Sequence, residues 1–162
     1  MLNNINAKIV NKLNELHLTI STCESMTGGA VGANLVLVEH ASNCFLGSMT
    51  TYHANAKKKL AKVSQDIIDQ YGTVSIECAR EMAKGCQLAF NSDLAISITG
   101  NASNSNPIEN QPSGMAYVCI RLFDKSYDYQ FHSKFNTRVD TINQCVAFTL
   151  NNLWDLIKDL KK

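Results

Sequence analysis

A polar turn with two glycines, lying between a predicted strand and a predicted helix, constrains the fold more than any other feature of this sequence. In residues 17–23, apolar and polar side chains alternate as they do in a buried strand. Residues 30–38 have small side chains first and bulky ones later, as in a packed helix. Between them, Thr22-Cys23-Glu24-Ser25-Met26-Thr27-Gly28-Gly29 leaves backbone N–H groups unpaired where the helix begins. This junction either presents the Ser25 hydroxyl at the carboxyl edge of a sheet, where α/β folds bind ligands, or uses Ser25 or Thr27 as a helix cap.

Helical and extended patterns alternate along the rest of the chain. Helices are predicted at residues 3–16, 55–63, 65–71 and 76–90 and from 138 to the end, and strands at residues 44–52, 94–98, 114–122 and 127–134. Residues 100–113 form one long irregular segment. This order predicts a single α/β domain of 162 residues. We expect a three-layer α/β/α sandwich over a mixed, mostly parallel sheet that ends in an antiparallel hairpin.

Charge and apolar pattern argue against several classes of protein. Fifteen basic and fourteen acidic residues leave a net charge of +1, whereas dedicated nucleic-acid-binding proteins usually carry a basic excess. No apolar run is long enough to cross a membrane and residues 1–6 are polar, so a cytoplasmic protein without a membrane partner is expected. None of the six cysteines belongs to a C-x-x-C pair, which favours small buried hydrophobic residues over a metal site.

Five short motifs follow one another in an order and at a spacing that resemble those of a known family. Glu24-Ser25-Met26-Thr27-Gly28-Gly29 is similar to its E-S-x-T-G-G signature, and Tyr52-His53-Ala54-Asn55-Ala56-Lys57 to its Y-x-N-x-A-K segment. Gly72-Thr73-Val74-Ser75 resembles its G-x-V-S helix start. Ser97-Ile98-Thr99-Gly100 resembles the strand that ends in T-G, and Pro112-Ser113-Gly114 the P-V-G before the next strand. Taken together, the motifs resemble the CinA carboxy-terminal domain family, and the similarity extends over nearly the whole chain.

The resemblance implies an activity and a set of site residues. It implies hydrolysis of the amide of nicotinamide mononucleotide to nicotinate mononucleotide and ammonia in pyridine-nucleotide salvage, with no metal and no cofactor. Ser25 would be the nucleophile, Lys57 its general base and Tyr52 an assisting hydroxyl. The expected substrate-binding residues are Glu24, Thr27, Gly28, Gly29, Thr99, Gly100 and Arg138. We also expect the stand-alone form of the domain and a homodimer.

The chemistry of the residues is consistent with these roles. A serine hydroxyl needs a neighbouring base, and a lysine serves as one only where desolvation lowers its pKa. Lys57 begins a run of three lysines, a pattern typical of a solvated helix face, but helical spacing places Lys57 with Leu60 and Ala61 on the inward side. The amides of Gly28-Gly29 could hold either a substrate phosphate or an oxyanion. His53, beside Tyr52, is a second candidate base.

Other functions remain open from the sequence. The family's glycine-rich segment after T-G is represented here by Gly100-Asn101-Ala102-Ser103-Asn104-Ser105-Asn106, and its F-P-G-D-R segment only by Phe135-Asn136-Thr137-Arg138. Glycine lets a backbone approach a ligand closely, and asparagine does not replace it there. The alternative to an active enzyme is therefore an impaired member that binds a nucleotide or a protein partner. A nucleic-acid role is disfavoured by the near-zero net charge.

Overall fold

Helices and strands alternate along the chain in the computed structural model, which describes residues 2–102, 112–134 and 137–161, without the side chains of residues 2–4. The helices are α1 (Leu2–Leu16), α2 (Ala30–Val36), α3 (Ala54–Leu60), α4 (Gln65–Tyr71), α5 (Ile76–Phe90) and α6 (Arg138–Ile157). The strands are β1 (Ile20–Glu24), β2 (Phe45–Thr50), β3 (Leu94–Asn101), β4 (Met115–Leu122) and β5 (Lys125–His132). Most of the predicted irregular segment, including Ser103-Asn104-Ser105-Asn106, lies outside the described residues, as do Phe135 and Asn136.

The strands form one five-stranded mixed sheet in the order β2-β1-β3-β4-β5. The β1–β2 and β1–β3 pairs are parallel, whereas β3–β4 and β4–β5 are antiparallel, the last being the predicted hairpin. Four of the five strands therefore run in one direction, and the predicted α/β sandwich with a mixed sheet is confirmed. The chain leaves β1 toward β2 on one side and later returns to β3 on the other. This reversal creates a crevice at the carboxyl end of β1, the usual ligand position in such sheets.

Two apolar layers hold the helices against the sheet. The larger core joins α1, α2 and α6 to one face and includes Leu13, Ile96 and Leu153, none of which is exposed. The smaller one joins α5 to the opposite face through residues such as Met82 and Cys86. Burial of these side chains is the main favourable term in folding. All six cysteines are buried and free, as the sequence predicts.

The end of β1 is fixed from both sides by its neighbouring strands. Glu24, the last residue of β1, is paired with Thr50 on β2 and Ile98 on β3. The amide of Thr51 donates to the Glu24 carbonyl at 2.8 Å, and the amide of Ser25 donates to the Ile98 carbonyl at 2.9 Å. Because the backbone is held on both sides up to Ser25, the position of the serine is set by the sheet itself.

Candidate active site

Ser25 and Lys57 come together at the carboxyl end of β1. Lys57 Nζ lies 2.8 Å from Ser25 Oγ and donates to the Thr51 carbonyl at 2.7 Å. Lys57 is 2% exposed and Ser25 is 6% exposed, so the pair is almost excluded from water. The predicted inward orientation of Lys57 is confirmed. Ala61 shares its buried side, but Leu60 is 49% exposed, so the predicted inward position of Leu60 is wrong.

The surroundings of Lys57 favour its neutral form. Desolvation by burial lowers the pKa of Lys57 from its usual 10.5. Among the described residues, no carboxylate forms an ion pair with it. The nearby thiols of Cys23 and Cys78 supply no compensating negative charge at neutral pH, because burial raises the pKa of each to about 11. A lysine in this environment can accept a proton from the serine beside it.

Glu24, which the resemblance places among the substrate-binding residues, has its side chain engaged inside the protein. Its side chain is fully buried, and the carboxylate accepts hydrogen bonds from within the chain. The Thr27 hydroxyl donates at 2.6 Å, and the amides of Gly29, Val31 and Gly32 donate at 3.2, 3.0 and 2.9 Å. These contacts place the Glu24 carboxylate at the amino-terminal end of α2. Glu24 therefore caps this helix, although it belongs to the preceding strand, β1.

The predicted anion site at Gly28-Gly29 is therefore already used by the protein. The Gly29 amide is taken by Glu24, and the Gly28 amide donates to the Ser25 carbonyl at 3.1 Å. The Thr27 hydroxyl is likewise engaged with Glu24 rather than directed at a ligand. Gly28 and Gly29 have φ values of 63° and 101°, a conformation that favours glycine, which explains why both positions are glycines. Their role in the structure is conformational.

Thr99 and Gly100 also make close contacts within the fold. The Thr99 side chain is 1% exposed, and its hydroxyl donates to the Thr73 carbonyl in the loop before α5. A Cβ on Gly100 would lie 2.6 Å from the Met115 carbonyl oxygen and 2.7 Å from Met26 Sδ. Only glycine permits this close approach of β3 to β4 and to the Ser25 turn. Both residues therefore have contacts within the fold, and their contact with a substrate stays a prediction.

Tyr52 and Arg138 form a hydrogen bond with each other, outside the buried dyad of Ser25 and Lys57. Tyr52 is 62% exposed, and its hydroxyl accepts a hydrogen bond of 2.8 Å from Arg138 Nη2 at the start of α6. Tyr52 makes no hydrogen bond with Ser25 or Lys57 among the described residues. His53 Nδ1 accepts from the Asn55 amide at 3.2 Å and so caps α3.

One residue of the candidate site was not predicted from the sequence. Thr51 is fully buried, and its carbonyl is the second partner of Lys57 Nζ. Its hydroxyl lies 3.4 Å from Cys23 Sγ. A backbone carbonyl has no residue signature, so only the position of Thr51 at the end of a predicted strand could have indicated it.

Away from Ser25 and Lys57, the described parts of the chain contain a groove but no cluster of metal-ligating side chains. A groove of about 440 Å³ lies between the end of α3 and α5, lined by Leu60, Lys84 and Leu88 among others, and it does not include the dyad. No group of three or more histidine, cysteine, aspartate or glutamate side chains is placed to hold a metal ion. No described helix combines the length and apolarity needed to cross a membrane.

Comparison with known proteins gives consistent matches. Residues 2–157 match the family model described as the CinA C-terminal domain. Protein MG115 of Mycoplasma genitalium is 38% identical over 134 residues, which cover 83% of this chain and 85% of that protein. A CinA-like protein of Pseudothermotoga lettingae is 38% identical over 112 residues, or 69% of this chain, but the match spans only 28% of that longer protein.

The same similarity extends to solved structures. The crystal structure of a competence-damaged protein (CinA) superfamily protein from Escherichia coli superposes with a TM-score of 0.93 at 26% identity, covering 96% of this chain and 90% of that one. A CinA superfamily protein from Klebsiella pneumoniae superposes with a TM-score of 0.94 at 19% identity, which supports the fold alone.

Proposed function

This chain belongs to the CinA C-terminal domain family, and from that membership we propose that it is an amidohydrolase which converts nicotinamide mononucleotide to nicotinate mononucleotide and ammonia. The observation that carries the proposal is the 2.8 Å separation of Lys57 Nζ from Ser25 Oγ inside a buried site. A serine and a neutral lysine are sufficient for acyl transfer, because the lysine can remove and return the proton that each step requires.

The first half of the reaction forms an ester. Neutral Lys57 takes the proton of the Ser25 hydroxyl while Oγ bonds to the carboxamide carbon, whose carbonyl oxygen becomes an oxyanion. As the carbonyl re-forms, the C–N bond breaks and the Lys57 ammonium gives its proton to the departing nitrogen, which leaves as ammonia. The nicotinoyl group is then an ester of Ser25, and Lys57 is again neutral.

The second half hydrolyses that ester. Lys57 takes a proton from a water molecule as the water oxygen bonds to the ester carbon. The tetrahedral species collapses with cleavage of the bond to Ser25 Oγ, and Lys57 returns the proton to that oxygen. The sum is one amide and one water giving one carboxylic acid and one ammonia.

The Thr51 carbonyl supports the role of Lys57 as a base. A neutral amine has two N–H groups and one lone pair. With one N–H donated to the Thr51 carbonyl, the lone pair can face the Ser25 hydroxyl 2.8 Å away. The lowered pKa of Lys57 increases the fraction of molecules in which that lone pair is free at neutral pH.

The test is ammonia release from nicotinamide mononucleotide by purified protein. Ser25→Ala should reduce kcat by at least about 10³-fold, since it removes the nucleophile. Lys57→Arg should reduce it comparably, because a guanidinium cannot act as a base near neutral pH. Ser42→Ala, at an exposed serine, is the matched control and should retain full activity. Wild-type turnover by the Ser25 or Lys57 variant would refute the proposal.

A second candidate is a family member that binds a nucleotide without turning it over. The observation in its favour is the sequence after Thr99-Gly100, where asparagine and serine occupy the positions of the family's glycines. Calorimetry with nicotinamide mononucleotide distinguishes the two. Tight binding by the wild-type protein without ammonia release would favour the binding protein over the enzyme.

A further inference from the structure

The backbone amides that follow the serine can be accounted for one by one. The Ser25 amide donates to the Ile98 carbonyl, and the Gly28 amide to the Ser25 carbonyl. The amide of Ala30 donates to the Thr27 carbonyl. The amides of Gly29, Val31 and Gly32 all donate to the Glu24 carboxylate. Six of the eight amides from residue 25 to residue 32 are thus engaged inside the protein.

The two that remain belong to Met26 and Thr27. Within the described part of the chain, neither amide donates a hydrogen bond. Both residues are buried, at 4% and 5% exposure. A buried backbone N–H without an acceptor is rare and costly in native proteins. Two in succession, immediately after a nucleophile, indicate a site that is completed by a ligand.

The local geometry explains why these two amides are left over. The Gly28 amide closes a turn onto the Ser25 carbonyl, with Met26 and Thr27 at the two central positions. A turn of this kind uses the amide of its last residue and neither of the central ones. Glu24 then takes the amides beyond the turn, so the start of α2 attracts no second anion.

We propose that the amides of Met26 and Thr27 form the oxyanion hole of this site. The ligand they would hold is the negatively charged oxygen of the tetrahedral intermediate in acyl transfer. In hydrolases of another fold, the amide of the residue after the nucleophile has this task, because it lies beside the atom that attacks. The Lys57 ammonium formed in the same step adds a positive charge nearby. This inference rests on the proposed function for its reaction class.

Replacing single amides by esters tests the assignment without changing any side chain. A synthetic segment of residues 1–43 can be joined to residues 44–162 by ligation at Cys44, which restores the complete chain. An ester bond at Met26 or at Thr27 removes one N–H group. An ester at Ala33, whose amide donates to the Gly29 carbonyl at 2.9 Å within α2, is the matched control.

Each ester at Met26 or Thr27 should reduce kcat for ammonia release by about 10²- to 10³-fold with little change in KM, as loss of one oxyanion donor does. The Ala33 ester should lower stability without this loss of kcat. Wild-type kcat in folded Met26 and Thr27 ester chains, checked by thermal unfolding, would overturn the proposal. The two esters are made in separate proteins. If one of these proteins does not fold, the kcat of the other still tests the proposal.

A second readout separates this proposal from the choice of substrate. A fluorophosphonate modifies an activated serine through a tetrahedral phosphorus whose oxygen would occupy the same hole, and mass spectrometry of the intact chain measures the rate at Ser25. Labelling that is fast in the wild type and at least tenfold slower in the Met26 and Thr27 esters supports the oxyanion hole, even without ammonia release. That outcome would reject nicotinamide mononucleotide as the substrate but would support the assignment of the oxyanion hole. No labelling of wild-type Ser25 would overturn both.

Discussion

The Thr51 carbonyl oxygen and Lys57 Nζ are joined by a hydrogen bond of 2.7 Å, and this contact connects the sheet to the buried lysine. The amide of the same Thr51 residue donates to the Glu24 carbonyl, one residue before the serine. One peptide segment at the end of β2 therefore fixes the distance between Ser25 and Lys57. The relative position of Ser25 and Lys57 therefore depends on strand pairing rather than on a flexible loop.

The buried lysine should make the stability of the protein depend on pH. The pKa of Lys57 is lowered in the folded state, so between that value and the usual 10.5 the unfolded chain binds more protons than the native one. The free energy of unfolding of the wild type should therefore rise with pH across this interval, relative to Lys57→Met, which cannot titrate. Urea unfolding at a series of pH values measures the difference.

The control for this experiment is Lys59→Met, two residues further along the same helix on its exposed side. It should follow the pH profile of the wild type, because Lys59 is exposed and the replacement leaves Lys57 in place. A wild-type minus Lys57→Met difference that stays constant with pH would show that Lys57 has the same pKa in both states.

Removal of the Glu24 carboxylate should destabilise the protein strongly. Glu24→Ala leaves three backbone amides and the Thr27 hydroxyl without their acceptor in a buried position. Each unsatisfied buried donor costs about 1–3 kcal/mol before any relaxation. With partial rescue by water, we expect a loss of about 3–5 kcal/mol in the free energy of unfolding. Urea denaturation gives this value directly.

Glu24→Gln separates the shape of the side chain from its charge at this position, and Glu15→Gln is the control. The glutamine keeps the shape of the side chain but offers one acceptor oxygen in place of two, so an intermediate loss is expected. Glu15 is exposed and forms a surface ion pair with Lys12, so its replacement should change stability by less than about 1 kcal/mol. Equal stability of Glu24→Ala and wild type would contradict the capping role.

The helices whose ends carry strong local signals could be predicted to the residue. Gln65–Tyr71 and Ile76–Phe90 match their predicted bounds, because Ser64 and Ser75 cap their first turns and Gly72 ends the first of them. Strand ends were less predictable. β3 continues to Asn101, three residues beyond the predicted end, because pairing with β4 outweighs the low strand preference of Gly100.

Residue types in the motifs predicted that Ser25 and Lys57 come together. They did not predict which neighbouring side chains would instead make contacts within the fold. Ser25 and Lys57 belong to motifs and come into contact. Glu24 and Thr99 belong to the same motifs, yet their partners are the chain's own amides and carbonyl. A sequence motif cannot distinguish a residue that contacts a ligand from one that stabilises the turn, since each role requires a particular side chain. The contribution of Thr51 is made by its backbone and has no sequence signal.

Gly85 should control the position of the helix that carries Lys57. A Cβ at Gly85 would lie 1.7 Å from the Ala61 carbonyl oxygen, a backbone atom that cannot rotate away. Ala61 follows α3 and donates its amide to the Lys57 carbonyl at 3.1 Å. Gly85→Ala should therefore lower the free energy of unfolding by about 1–3 kcal/mol through overpacking, despite the better helix propensity of alanine, which is worth about 1 kcal/mol.

The displaced α3 should also reduce kcat in Gly85→Ala, because Lys57 Nζ would no longer lie within hydrogen-bond distance of Ser25. Lys84→Ala, at the exposed neighbouring position of α5, is the control and should leave stability and kcat near wild type. Thermal unfolding and ammonia release measure the two effects. A Gly85→Ala protein as stable and active as the wild type would show that α3 can shift freely over α5.

The pairing of Tyr52 with Arg138 predicts that both act on binding rather than on the chemical step. Their hydrogen bond of 2.8 Å lies outside the buried dyad, and both side chains are exposed. If Arg138 meets the substrate phosphate, Arg138→Ala should raise KM about tenfold, equivalent to a charge-assisted hydrogen bond of about 1.5 kcal/mol, with kcat nearly unchanged. Tyr52→Phe should raise KM less, because it removes only the partner that orients the guanidinium.

A double-mutant cycle on kcat/KM tests the coupling of the two residues. The double variant should be little worse than Arg138→Ala alone, since Tyr52 is argued to act through that arginine. Arg80→Ala is the control, because Arg80 is paired with Asp128 on β5 and should leave KM unchanged. A large fall in kcat for Tyr52→Phe, with KM unchanged, would instead place the tyrosine hydroxyl in the proton transfers between Lys57 and Ser25.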